Sequence, residues 1–149
     1  MRVSAQGVLP VDTETAWAHL VRWERQAAWI ADADRVRVLG AAREGVGVRI
    51  SVRTRVLTLP VLTEVLEVVR WEPPRLLRIA HTGFVQGTGD WRLDPVAGGQ
   101  TRFTWTEDLR LPIPVVGSIA LRVYSLVLRR VMRRSVGRLA SVVQHPGER

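Results

Sequence analysis

The 149-residue chain contains no cysteine, which excludes disulfides, thiolate nucleophiles and cysteine-ligated metals. Lysine and asparagine are missing as well, and all 22 basic residues are arginine. A skew of that kind suits a GC-rich coding bias better than one functional demand. Long apolar runs are also absent: no stretch reaches the ~18 uninterrupted apolar residues of a membrane span. The opening "MRVSAQGVLPVDTETAW" holds no apolar core of the roughly 7–15 residues that a secretory signal needs, so a cytoplasmic location is expected. The three histidines are scattered and lack a clustered carboxylate pattern, so no metal is expected.

What is present fits one globular domain spanning residues 1–149, with 46% hydrophobic and 24% charged residues. The net charge of +8 is unevenly placed. Up to Asp108 arginines and acids nearly balance, whereas from Leu109 to Gly147 there are arginines and no acid. Such a segment reads as a solvated helix face, an anionic-membrane surface or a nucleic-acid surface. Nucleic acid is not expected, because stacking aromatics are missing among the charges: the nearby Tyr124 falls on the opposite face.

Periodicity orders the chain. Val3 to Leu9 suits a strand ended by Pro10, and Asp12 is a good N-cap for a short helix over 13–22, with Glu14 in its first turn. A second short helix is expected over "ERQAAWIAD". After Asp34 the period changes to two. In "GVGVRISVRTRV" Val46, Val48, Ile50, Val52 and Val56 alternate with Arg49, Ser51, Arg53 and Arg55, the pattern of a half-buried strand. Further strands follow over Val61–Trp71, Leu76–His81, Gly89–Leu93 and Thr101–Leu109. A helix from about 115 to 143 closes the chain, with Leu121, Tyr124, Leu128, Val131, Met132, Ser135, Leu139 and Val142 on one face. Arg122, Arg129 and Arg133 lie opposite. Ile119, Val123, Leu126 and Val127 add apolar side chains to that outer face, more than a surface helix needs.

The order of strand, two short helices, six strands and a long helix resembles the helix-grip fold of the START-like (SRPBCC) superfamily, in its polyketide cyclase/dehydrase-like branch. The matching stretches are "VDTETAW", "EVVRWEPPRLLRIAHTG", "GTGDWRLDPVAGGQTRFTWTEDLRLPIP" and the arginine-studded terminal helix. The resemblance covers nearly the whole chain. It implies an α+β fold with a seven-stranded curved antiparallel sheet wrapped around the long helix, and an internal, mostly apolar cavity between them. Superfolds of this kind host carriers, receptors and enzymes, so function must come from the site.

The glycine-rich "AHTGFVQGTGDW" is the stretch that most suggests chemistry. A phosphate loop would lead into a helix N-terminus; here a strand pattern follows, so the run reads as a hairpin and no nucleotide or other cofactor is expected. With that hairpin centred on Val85 and the next near Gly98, His81, Gly89 and Glu107 form one row across three strands. The rows beneath are Ile79, Trp91, Trp105 and Leu77, Leu93, Phe103. The apolar rows must face inward, and parity carries His81 and Glu107 with them, about 10 Å apart across two strand spacings. Asp90 faces outward.

An inward glutamate must pair, meet a polar group of a ligand, or hold a proton. His81 and Glu107 are therefore the candidate acid–base residues. The expected ligand-binding set is His81, Gly89, Trp91, Phe103, Trp105, Glu107, Leu128 and Ile50, with Trp29 and Tyr124 closing the mouth. Trp17 and Trp71 read as structural.

Three functions remain open. The first is binding of a small hydrophobic, aromatic, polyketide-like or lipid-like ligand without covalent chemistry. The second is an aromatase/cyclase-type or dehydratase enzyme using His81 and Glu107. The third is a membrane-surface or protein-partner module acting through 113–138, with an apolar patch also suited to a homodimer. No nucleophile–base–orienter set is visible, which puts the enzyme second.

Overall fold

The computed structural model describes residues 1–56, 59–110 and 116–145. β1, Arg2–Leu9, buries Val3, Ala5 and Leu9 and exposes Arg2, Ser4 and Gln6, the two-residue period of a strand with one covered face. Asp12 caps α1, Thr13–Leu20, by accepting from the Thr15 N–H at 2.7 Å. Ala16, Trp17 and Leu20 are its buried side.

The second short helix is present but ends earlier than expected. It is a 3-10 helix, Trp23–Ala28, and the reason is visible in its spacing. Trp23, Gln26 and Trp29 are all buried, a period of three that a 3-10 helix keeps on one side and an α-helix does not. Gln26 is satisfied there by donating to the Leu20 carbonyl at 2.9 Å.

Six strands follow: β2 Ala33–Leu39, β3 Arg49–Val56, β4 Leu59–Glu72, β5 Leu76–Thr82, β6 Gln86–Val96 and β7 Gln100–Arg110. They form one seven-stranded antiparallel sheet in the order β1-β7-β6-β5-β4-β3-β2. β2 has no counterpart among the strands marked individually by periodicity. β3 starts later than its valine alternation suggests, and Val46 is exposed ahead of it. Val48 and Ile50 do face the core.

The β6–β7 register pairs Gly89 with Glu107, Trp91 with Trp105 and Leu93 with Phe103, as expected. The β5–β6 register is two residues off the expected one. Gly89 pairs with Ile79, Trp91 with Leu77, and His81 with Gly87. The hairpin is centred on Phe84 rather than Val85. Phe84 is exposed at the tip, whereas the Val85 side chain is buried and its N–H is taken by Glu64. A shift of two preserves the face, so His81 still points inward, diagonal to Glu107 instead of in its row.

α2, Val116–Gln144, lies across the concave face. Leu128, Met132, Ser135, Val136, Leu139 and Val143 are buried. The helix sits directly on β1 at Gly7, where a Cβ would stand 2.6 Å from Val136 Cγ1. Its first half projects beyond this contact, leaving Ile119, Val123, Leu126 and Val127 exposed. The expected start at Val115 and the inward side chains of Leu121 and Val56 lie outside what the structure describes. The result is the helix-grip arrangement: a curled antiparallel sheet holding a long C-terminal helix.

Candidate functional site

The aromatic residues build the floor between sheet and helix. Trp91 and Trp105, opposite each other on β6 and β7, have ring centroids 5.9 Å apart and nearly perpendicular planes. Trp29 stacks beneath both, at 5.3 Å and 6.1 Å, and Phe103 completes the group at 6.2 Å from Trp91. Edge-to-face packing of this kind fixes the rings beyond simple burial. Trp29 is only 2% exposed, so it supports the floor and does not close a mouth. Phe103, fully buried, likewise stays below the cavity. Trp17 packs edge-on against Trp71 at 5.1 Å, away from this cluster.

Above the floor is a cavity of about 130 Å³. Ile50 and Val52 of β3, Leu66 of β4, Ile79 of β5, and Leu128 and Val131 of α2 supply apolar walls. Of the residues expected from sequence, His81, Gly89, Trp91, Trp105, Glu107, Tyr124, Leu128 and Ile50 all line it; Trp29 and Phe103 do not. Tyr124 both lines the cavity and reaches solvent, so it stands at the rim.

The polar end is tighter than sequence reasoning allowed. Glu107, only 6% exposed, accepts from Trp105 Nε1–H at 2.7 Å through Oε1. Its Oε2 lies 3.0 Å from His81 Nε2. The two side chains therefore meet directly, with neither water nor ligand between them. Gly89 makes this possible: a Cβ there would stand 2.7 Å from Glu107 Oε1 and 2.9 Å from its Cδ. Gly87, at φ 134°, serves the hairpin instead.

A second carboxylate, not anticipated from sequence, faces the other side of the imidazole. Glu64 on β4 accepts the Val85 N–H at 3.1 Å through Oε1. Its Oε2 is 4.0 Å from His81 Nδ1, too far for a hydrogen bond, and Nδ1 has no partner among the described residues. The signal was present: Leu62, Glu64, Leu66 and Val68 alternate along β4, and the apolar members face inward. Asp32, just before β2, brings a third carboxyl to the lining; no periodicity marks it.

Electrostatics follow from this geometry. Burial disfavours charge on His81, but its hydrogen bond to Glu107 and the adjacent Glu64 outweigh it and hold the imidazolium up to about 9. Burial also raises the Asp32 carboxyl, with a further push from Glu107. Tyr124 is raised to about 12 by burial and by the negative field of Asp32, Glu107 and Glu64. At neutral pH His81 is thus a proton-bearing donor, not a free base, and Tyr124 is a neutral phenol. No group of histidine, aspartate and glutamate suited to a metal occurs among the described residues.

Residues 1–144 match the family model for polyketide cyclase / dehydrase and lipid transport. Among solved structures, a Thermus thermophilus protein is similar at 19% identity and TM-score 0.84, covering 99% of this chain and 100% of the other. The ZhuI aromatase/cyclase from Streptomyces sp. R1128 is similar at 12% identity and TM-score 0.79, covering 99% and 96%. A START superfamily protein from Mycobacterium smegmatis is similar at 12% and TM-score 0.75, covering 95% and 98%. Likeness at such identities speaks to the fold. No curated protein matches by sequence. No helix among the described residues is long and apolar enough to cross a membrane.

Proposed function

The chain belongs to the polyketide cyclase/dehydrase and lipid transport family, and from that premise we propose that it binds a small, ring-bearing hydrophobic molecule between sheet and α2, as a carrier or sequestering module. The observation that carries this reading is the cavity: about 130 Å³, floored by Trp91 and Trp105 and walled by aliphatic side chains. An apolar cavity of ~150 Å³ accommodates a benzene-sized guest, so the space suits one ring better than a folded polyketide chain. The decisive experiment is titration of an apolar fluorescent probe into the wild type and two filled variants, Val52→Phe and Val131→Trp. Both positions are half-buried and line the void, so the larger side chains grow into it. Binding is expected in the wild type and at least tenfold weaker in both variants (about 1.4 kcal/mol); equal binding in all three, with the fold intact, refutes the reading.

A second reading, catalysis, draws on the His81–Glu107 contact. The imidazolium, held by two carboxylates, suits a general acid that protonates a substrate oxygen rather than the base of a deprotonation. Turnover of a candidate substrate that disappears in His81→Gln and Glu107→Gln, while probe binding persists, would favour it.

A third reading concerns the outside of α2. Exposed Ile119, Val123, Leu126 and Val127 lie among Arg122, Arg129 and Arg130 with no acid on the helix. Apolar side chains ringed by arginine complement an anionic lipid surface.

A further inference from the structure

We infer that the cavity selects its guest by charge: it takes an uncharged ring bearing a hydroxyl and rejects the carboxylate of the same shape. This deepens the ligand-binding reading above and rests on it.

The first ground is where charge is placed. The chain has 22 arginines, yet among the described residues no arginine lines the cavity. Three carboxyl side chains do: Asp32, Glu64 and Glu107. The cationic partner at the polar end is His81, between Glu64 and Glu107. Two carboxylates against at most one imidazolium leave this cluster negative in either state of the ring. An anionic guest would enter a half-enclosed, Trp-floored space whose one imidazolium is outnumbered by carboxylates among the described residues. Like charges a few ångströms apart in such surroundings repel strongly, because little water screens them.

The second ground is the open pair of atoms. Each oxygen of Glu107 already has a partner, Oε1 in Trp105 and Oε2 in His81. Glu64 Oε1 is engaged by Val85. What remains facing one another are His81 Nδ1, buried without a partner among the described residues, and Glu64 Oε2, at 4.0 Å. A hydroxyl oxygen that parts these two side chains and sits ~2.8 Å from each accepts from Nδ1–H and donates to Oε2, satisfying both. A carboxylate can only accept, so it answers Nδ1 and opposes Glu64. A plain hydrocarbon fills the void and leaves the donor unpaired. The hydroxyl is thus the group that completes the site, and the aromatic floor sets the ring that carries it.

The test uses matched single-ring probes, 4-ethylphenol, 4-ethylbenzoate and ethylbenzene, titrated at pH 7 into the full chain. Binding is followed through the Trp105 indole N–H resonance, which reports on the hydrogen bond to Glu107. The phenol is expected to bind most tightly and the benzoate at least roughly thirtyfold more weakly, a gap that ion–ion repulsion in a partly screened site can supply. In Glu64→Gln, an isosteric change, the phenol–benzoate gap should narrow about tenfold through improved benzoate binding. Benzoate binding as tightly as the phenol in the wild type overturns the charge selection while leaving the ligand-binding reading in place. So does a gap unchanged in Glu64→Gln. If none of the three probes moves the Trp105 signal at any concentration, the ligand-binding reading itself falls, and the selection with it.

Discussion

The cavity and the outer face of α2 treat charge in opposite ways. The cavity gathers Asp32, Glu64 and Glu107 with no arginine in its lining among the described residues; the helix gathers Arg122, Arg129, Arg130, Arg133 and Arg134 with no acid. They also differ in company. Each carboxylate at the polar end is bonded: Glu107 to Trp105 and His81, Glu64 to the Val85 backbone. Those five helix arginines are exposed to solvent. The net charge of +8 therefore describes the surface, while the buried carboxyl cluster carries the other sign. Buried pairs carry a large energetic weight because a broken one leaves an uncompensated charge. Exposed charges carry little, since water and salt screen them.

Removing one charge from each region is the sharpest way to break that contrast. Glu107→Ala strands the His81 imidazolium and the Trp105 N–H in a buried site, and a loss of about 3–5 kcal/mol is expected. Arg133→Ala, on the exposed helix face, should stay within about 0.5 kcal/mol of wild type. Urea denaturation of both variants reads the difference directly. Comparable losses in the two would mean that the Glu107 cluster is open to solvent, and the contrast would collapse.

Titration separates the regions next. The folded-state value of His81 is raised from 6.5 to about 9, so its pairing contributes stability that is fully present below about 6.5 and is lost as pH rises through about 9. At about 1.4 kcal/mol per unit, the ceiling is roughly 3 kcal/mol. Arginine keeps its charge throughout this window, so the arginines of α2 add no slope. Stability measured between pH 6 and pH 9.5 should fall in the wild type, and the fall should be much shallower in Glu107→Gln. A wild-type profile flat across that window would mean the imidazole is not held charged.

How much of this could be read in the residues depends on which physical signal reports it. Strand parity is a strong signal because a one-residue error reverses every side chain; it turned His81 and Glu107 inward even though the β5–β6 pairing was two residues off. The offset came from Val85, whose burial and hydrogen bond to Glu64 moved the hairpin tip to Phe84. No local pattern reports a contact of that kind, made across the sheet. Glu64 was legible by the same parity as Glu107, lying between Leu62 and Leu66. Asp32 was not, because it sits where helix gives way to strand and no period applies. The short second helix is legible as a helix but not as a 3-10 helix: Trp23, Gln26 and Trp29 recur every three residues, and only their common burial shows that this spacing rules. A tryptophan on a short helix suits a mouth or a floor equally well by sequence; the ring contacts of Trp29 with Trp91 and Trp105 decide for the floor.

The smallest expected effect on stability tests whether the outer face does anything beyond staying in water. Ile119, Val123, Leu126 and Val127 are exposed at 70%, 59%, 66% and 54%, so replacing two of them with serine removes little packing. Ile119→Ser/Leu126→Ser should leave the denaturation midpoint almost unchanged, within about 0.5 kcal/mol. Flotation with vesicles is where the variant should differ. Wild type is expected to rise with vesicles rich in anionic lipid and to stay down with purely zwitterionic ones, since each arginine near an anionic surface contributes about 1 kcal/mol. The double variant should lose the apolar half of that attraction, while Arg122→Gln/Arg129→Gln should lose the charged half. Wild-type flotation that ignores lipid charge, or that survives both pairs of substitutions, removes the membrane reading and leaves the exposed apolar side chains of α2 without a partner. Tyr124 gives the outcome a bearing on the cavity. It stands at the rim on the same helical segment, so a lipid surface docked there would lie against the entrance through which an apolar guest must pass.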